Sequence, residues 1–258
     1  METENITEKI LMLKQMIEQS NNICCLSGAG FSTESGIPDF RSENGIFDAI
    51  RKFGYPPEVL LSKSFFESNT ETFFEYYCNN FLFSNINPNR AHKALAELEK
   101  QNKLNCIATQ NIDGLHIKAG NTKVYELHGS VYRNHCTRCG KFYSIDYLKN
   151  SNGIPRCECG GIIKPDVVLY EEPLPEKVFQ EAIQKIVESD MMIVGGTSLN
   201  VYPAAGLVSV YTGNKLVIIN RDTTPMDNKA DLVIKGNLGD VLGDAVGIRW
   251  LKILLDIF

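Results

Sequence analysis

In Ile23-Cys24-Cys25-Leu26-Ser27-Gly28-Ala29-Gly30 a short apolar run stops at a pair of glycines. A buried strand entering a tight turn has this form. The pattern returns at Leu104 to Ala108, Met191 to Val194, Leu216 to Ile219 and Leu232 to Ile234, each a brief apolar run ending near Gly, Asn or Thr. Helical spacing lies around and between them. Ile6, Ile10, Leu13 and Ile17 form one amphipathic stripe, with Asn5 and Glu8 as a capping pair at its start. Ala91, Ala94, Leu95 and Leu98 form a second, and Val178, Ala182, Ile183, Ile186 and Val187 a third. Strands alternating with helices imply βαβ units, hence an α/β fold with a doubly wound parallel sheet.

Two stretches interrupt the alternation. Residues 45–83 are rich in Phe and Tyr and read as helical over Phe65 to Leu82, and residues 129–165 carry four cysteines. Both read as insertions that form a smaller domain, leaving 1–44, 84–128 and 166–258 to the large one. The length of 258 residues suits this division. Leu251, Leu254 and Leu255, beside Trp250, predict a packed terminal helix.

The chain is 43% hydrophobic and 22% charged, with a formal net charge of −5. It has no long basic run, so the positive footprint of phosphate-backbone binding is absent and no direct nucleic-acid partner is expected. The acidic start Met1-Glu2-Thr3-Glu4 lacks the basic and apolar regions of a secretory signal, and no apolar stretch reaches the roughly 18 residues of a membrane helix. A cytoplasmic protein without a membrane partner is expected. Its eight cysteines then read as thiols or metal ligands rather than a disulfide framework.

Cys136-x-x-Cys139 and Cys157-x-Cys159, with 17 residues between them, approach the two-knuckle pattern of a four-thiolate zinc site. The second knuckle is one residue shorter than usual. Gly140 and Gly160-Gly161 follow the knuckles, where tight turns bring backbone N–H groups to the sulfurs. One structural zinc ion is expected, because four protein thiolates leave no open position for catalysis; free thiols are the alternative. His135 is expected to be a bystander, and Cys24, Cys25, Cys78 and Cys106 to be packing residues.

Gly28, Gly30 and Gly36 follow a predicted strand, where an α/β sheet sets a pyrophosphate against glycine backbone. The G-x-G-x5-G spacing departs from the dinucleotide fingerprint, and no acidic residue ends a second strand about 20 residues on. An ordinary hydride-transferring dehydrogenase is therefore disfavoured.

The loop continues as Gly36-Ile37-Pro38-Asp39-Phe40-Arg41-Ser42. Downstream lie Thr109-Gln110-Asn111-Ile112-Asp113-Gly114-Leu115-His116, Glu126-Leu127-His128-Gly129-Ser130, the four cysteines, and Gly196-Thr197-Ser198-Leu199-Asn200-Val201-Tyr202-Pro203-Ala204-Ala205. This ordered set resembles the sirtuins, NAD-dependent protein deacylases, and in particular their bacterial-type deacetylases. The resemblance runs from about Ile23 to Val241. It implies a Rossmann-like large domain, a small domain of zinc ribbon and helical insertion, and a cleft between them for NAD and an acyl-lysine peptide.

By the same resemblance, Gly28, Ala29, Gly30, Thr33, Arg41, Gly196, Thr197 and Ser198 would line the phosphate and ribose region. Asn220 would meet the adenosine ribose, and Asp240 is a further cofactor candidate. Family chemistry starts with attack of the acyl oxygen on the nicotinamide ribose, releasing nicotinamide and leaving an alkylimidate. His128 would then act as base on a ribose hydroxyl, a task that suits imidazole near neutral pH. The acetyl group ends on ADP-ribose and NAD is consumed. Asn111 would orient the ribose and a water, Asp113 the nicotinamide carboxamide, and Gln110 the ribose. Ile112 would pack on nicotinamide, and Phe40 would shield the reactive face. For Asp39 and Gln110 a loop-fixing role is the alternative; Ser27 and Ser32 read as turn residues, and His92 and His116 as structural.

In the family, an apolar strand and a second segment sandwich the peptide by β-addition. Val168, Leu169, Leu199 and Val201 hold those positions here. Tyr170-Glu171-Glu172 stands where many sirtuins have Phe-Gly-Glu, which puts the backbone contacts at Glu171 in question. Sirtuins that prefer succinyl groups share a Tyr-x-x-Arg pair in the helical insertion, and no arginine lies between Arg51 and Arg90. An uncharged acyl group, with acetylated-lysine proteins as partners, is therefore expected. The aromatics from Phe65 to Tyr77 suit either an apolar acyl channel or a core. A protein ADP-ribosyltransferase and a non-enzymatic NAD-sensing module are the alternative functions.

Overall fold

The computed structural model describes residues 2–38, 43–82 and 85–248. The chain starts with α1 (Glu2–Glu18), β1 (Ile23–Ser27) and the single turn α2 (Gly30–Thr33). Four helices follow: α3 (Glu43–Phe53), α4 (Pro57–Leu60), α5 (Lys63–Ser68) and α6 (Thr70–Phe81). Then come α7 (Arg90–Lys100), β2 (Leu104–Thr109), α8 (Leu115–Lys118) and β3 (Val124–Glu126). The cysteine segment holds β4 (Gly129–Cys136), β5 (Phe142–Tyr143), α9 (Ile145–Lys149) and β6 (Ile163–Val167). The rest consists of α10 (Glu176–Val187), β7 (Met191–Gly195), a 3-10 turn (Ala204–Val210), β8 (Leu216–Asn220), a short 3-10 segment (Asp227–Lys229), β9 (Leu232–Lys235) and α11 (Leu238–Val246).

Six strands form one parallel sheet in the order β3-β2-β1-β7-β8-β9. Successive side chains of a strand point to opposite faces, and both faces of this sheet are covered. Ile23 and Cys25 of β1 join a core with Leu13, Leu95 and Leu242, from α1, α7 and α11. Cys24 and Leu26 join another with Ala182, Ile186 and Leu207, from α10 and the 3-10 turn. Burial on both sides explains why the strands read as unbroken apolar runs. It also makes Cys24, Cys25 and Cys106 packing residues. The doubly wound sheet expected from the sequence is present.

A third core gathers the helical and cysteine segments. Leu60, Phe65, Phe66, Phe73, Phe74 and Tyr76 pack with Val131, Tyr143, Leu148, Ile163 and Val167. A three-stranded antiparallel sheet, β5-β4-β6, frames its far side. Most of the aromatics from Phe65 to Tyr77 are thus core.

Some elements differ from expectation. The helix predicted over Phe65 to Leu82 is two helices, because Asn69 leaves helical geometry at φ −132°, ψ 47°. Ser62 Oγ accepts from the Phe65 N–H at 3.2 Å and starts the first of them. Asn5 lies inside α1, which begins at Glu2. The edge strand β3 is too short for a periodic signal. Asp39, Phe40 and Arg41, and the terminal helix expected at Trp250 to Leu255, lie outside the described residues. No described helix is long and apolar enough to cross a membrane.

Candidate active site

In parallel sheets, crevices form beyond the carboxyl ends of the strands, where the strand order reverses. Here the chain leaves β1 for β2 on one side, and later returns at β7 on the other. At that point the Gly28 N–H donates to the Gly195 carbonyl at 3.1 Å, and the Gly30 N–H to the Gly196 carbonyl at 2.8 Å. A Cβ on Gly30 would stand 2.5 Å from Gly196 Cα, so glycine is required where the two loops meet. Gln110 Nε2 donates to Thr197 Oγ1 at 3.2 Å, joining the end of β2 to the same junction.

The loop after β2 carries the polar centre. Asp113 is buried; its carboxylate accepts from Ser32 Oγ at 2.7 Å and from the Leu115 N–H at 2.8 Å. Burial pushes its carboxyl above the usual carboxylate range, and the two hydrogen bonds oppose the shift. Ser32 Oγ in turn accepts from Asn111 Nδ2 at 3.1 Å, and the same amide donates to the Gly28 carbonyl at 3.0 Å.

His128 follows β3, with Nδ1 3.0 Å from the Gln110 carbonyl. A carbonyl oxygen only accepts, so Nδ1 carries the proton and Nε2 is the basic nitrogen. The next residue, Gly129, has φ +78°, and a Cβ there would stand 1.7 Å from the Asp166 carbonyl oxygen. Only glycine turns the chain away directly after the imidazole.

One cleft is lined by Ala29, Ser32, Gln110, Asn111, Asp113 and His128 on its polar side. Pro57, Leu61, Tyr77, Phe81 and Ile112 line its apolar side, and Val167, Val168, Leu169 and Tyr170 close it. The Val168 N–H donates to the His128 carbonyl at 3.0 Å, which ties that wall to the imidazole-bearing residue.

The cysteine sulfurs cluster in the small sheet. Cys136 and Cys159 Sγ are 3.4 Å apart, Cys139 and Cys157 Sγ 3.6 Å, and all four lie within 4.8 Å of one another. These separations exceed the roughly 2.05 Å of a disulfide. They approach the edge of about 3.8 Å in a tetrahedron with metal–sulfur bonds near 2.3 Å. Tyr143 OH donates to Cys157 Sγ at 3.0 Å, and this bond foremost holds the Cys157 thiol below its ordinary range. The Arg138 N–H donates to Cys136 Sγ at 3.4 Å. His135 turns instead to Asp166, at 2.7 Å.

The profile of the Sir2 family matches residues 28–203, which include the glycine loop, the cleft and the cysteines. An NAD-dependent protein deacetylase of Clostridium acetobutylicum is 53% identical over 239 residues, covering 92% of this chain and 98% of its own. The chain belongs to the Sir2 family. A second NAD-dependent protein deacetylase, from Clostridium perfringens, is 54% identical over 93% of this chain and 99% of its own. A solved Sir2 structure with a p53 peptide and NAD+ superposes with a TM-score of 0.79 at 37% identity, covering 90% of this chain and 95% of that one.

Of the residues the Sir2 resemblance singles out, Ala29, Gln110, Asn111, Ile112, Asp113, His128, Val168 and Leu169 line the cleft. Gly28, Gly30, Gly196 and Thr197 form the adjoining loop junction. Thr33 Oγ1 donates to the Gly30 carbonyl at 3.1 Å, and Ser198 is exposed. Leu199 is buried at φ +58°, with Val201 half-buried beside it; neither is a lining residue. Asn220 ends β8, and its amide donates to the Asp222 carbonyl at 3.1 Å. Asp240, in the first turn of α11, pairs with Arg90 at 3.3 Å. Ser32 is the residue that sequence reasoning undervalued: it reads as a turn residue, yet its hydroxyl joins Asn111 to Asp113.

Proposed function

We propose that this Sir2-family chain is an NAD-dependent protein-lysine deacetylase, with His128 as its base and Asn111 and Asp113 as catalytic partners. The observation that carries this reading is the His128–Gln110 hydrogen bond, which fixes the tautomer and leaves Nε2 basic beside Asn111 and Asp113. NAD, when bound, supplies the ribosyl carbon that accepts the acyl oxygen, loses nicotinamide and leaves the acyl group on ADP-ribose.

The residues divide the remaining work. His128 Nε2 takes a proton from a ribose hydroxyl. Asn111, held by Ser32 and Gly28, orients the ribose, and Asp113 accepts from the nicotinamide carboxamide. Ala29, Thr33, Phe40, Arg41, Gln110, Thr197, Ser198, Asn220 and Asp240 are the further cofactor contacts of this reading. Val168, Leu169, Leu199 and Val201 hold the peptide. The apolar side of the cleft, Pro57, Leu61, Tyr77 and Phe81, suits an uncharged acyl group. The sulfur cluster supports one structural zinc ion on Cys136, Cys139, Cys157 and Cys159, and the unbridged thiols of Cys24, Cys25, Cys78 and Cys106 fit a reducing, cytoplasmic setting. The small domain of this reading comprises 45–83 and 129–165, and the shared core of the two segments supports it.

Mass spectrometry of an acetyl-lysine peptide incubated with and without NAD tests the proposal. Loss of acetyl only with NAD, and its suppression in Asn111→Ala, is the expected outcome. Equal loss without NAD, or ADP-ribose added to protein while the peptide stays acetylated, contradicts it.

A further inference from the structure

Two segments distant in the chain meet beside the cleft: Leu61 to Ser64, at the start of α5, and Leu169 to Glu171, after β6. They form a one-rung parallel bridge between Ser62 and Tyr170. The Tyr170 N–H donates to the Leu61 carbonyl at 3.0 Å, and the Lys63 N–H to the Tyr170 carbonyl at 3.0 Å. Glu171 closes the junction: its carboxylate accepts from the Ser64 N–H and from Ser64 Oγ, both at 2.9 Å.

Glu171 does this at φ +75°, a left-handed conformation that is unfavourable for a residue with a side chain. Two hydrogen bonds to a charged acceptor offset that cost. The Ser64 amide lies in the first turn of α5, where N–H groups have no partner within the helix. Glu172 is occupied elsewhere, with Lys164 at 3.1 Å and the Leu169 N–H at 2.9 Å. The junction has a consequence for the cleft, because Leu61 and Tyr170 both line it. The two Glu171 bonds, though exposed, therefore reinforce the main-chain bridge that ties the apolar wall from the helical segment to the wall that follows β6.

We propose that Glu171 is a positioning residue that latches these two walls together and so sets the acyl length the cleft accepts, favouring acetyl over longer aliphatic chains. The proposal rests on the deacylase reading above.

The test compares the wild type with Glu171→Gly, Ser64→Ala and the double variant, on lysine peptides carrying acetyl, propionyl or butyryl groups. Glycine suits the backbone at 171, so it removes the latch without straining the chain. In Glu171→Gly the KM for the acetyl peptide is expected to rise about tenfold with kcat changed less than about threefold. The butyryl-to-acetyl ratio of kcat/KM should rise several-fold. Ser64→Ala should shift both in the same direction by less, and add nothing in the Glu171→Gly background. Hydrogen exchange at the Ser64 amide, faster in Glu171→Gly, reads the latch without catalysis. An unchanged acyl ratio and KM in Glu171→Gly, or an unchanged Ser64 exchange rate, overturns the proposal. Absence of turnover in the wild type and every variant, with Ser64 exchange still responding, instead overturns the deacylase reading and the selectivity role with it.

Discussion

Ser32 Oγ donates to Asp113 Oδ2 at 2.7 Å while accepting from Asn111 Nδ2 at 3.1 Å, so one hydroxyl sets the relative position of two candidate catalytic side chains. Ser32→Ala removes both bonds and leaves the fold's cores untouched. A loss of about 10- to 100-fold in kcat/KM is expected, the equivalent of one or two hydrogen bonds to a charged group. Steady-state kinetics beside a thermal melt checks it; unchanged kinetics would place the network outside the reaction.

His116 and His92 give stability a defined pH dependence. His116 is buried with Nε2 2.9 Å from Ser27 Oγ, and desolvation lowers its pKa to about 3. His92, with its ring centroid 4.8 Å from that of His116, is lowered well below its ordinary value by burial and then by His116. Both pKa values fall on folding, so below about pH 6.5 the unfolded chain binds more protons than the folded one. Their contribution is whole above that pH and is lost as pH falls toward the folded values. The slope is about 1.4 kcal/mol per pH unit for each histidine. Urea midpoints from pH 7.5 to 4.5 should fall accordingly, and fall less steeply in His116→Gln.

For the zinc site proposed above, the Tyr143 hydroxyl on Cys157 Sγ predicts a slower loss of metal than four thiolates alone would give. Tyr143→Phe is expected to weaken zinc binding by about tenfold. Chelator competition followed by metal analysis reads this directly. Native protein with less than one zinc per chain would contradict the assignment of the four cysteines.

Gly129→Ala places a methyl group onto the Asp166 carbonyl oxygen, at a left-handed position next to His128. Destabilisation above about 4 kcal/mol is expected, among the largest effects of a single substitution. Circular dichroism and soluble yield test it, with Gly140→Ala, which meets nothing within 4 Å, as the milder comparison.

Much of this architecture is legible in the chain because it is local. Ile23 to Gly30 declares a buried strand and a turn in eight residues, and the cysteine spacings declare that the four sulfurs come together. Other features are long-range or brief. The bond between Ser64 and Glu171 spans 107 positions, and neither residue type announces it. Val124–Glu126 is too short to show a period, and its place at the sheet edge follows from pairing with β2. Ser32 resembles any serine in a glycine-rich turn until Asp113 and Asn111 are folded against it.

A product balance for wild type and His128→Ala, with an acetyl-lysine peptide and NAD, tests the role of His128 directly. Nicotinamide, deacetylated peptide and O-acetyl-ADP-ribose should appear one-for-one-for-one in the wild type, with the acetylated nucleotide lost in the variant. Free acetate as the product, or equal O-acetyl-ADP-ribose formation without the imidazole, would contradict the role assigned to His128.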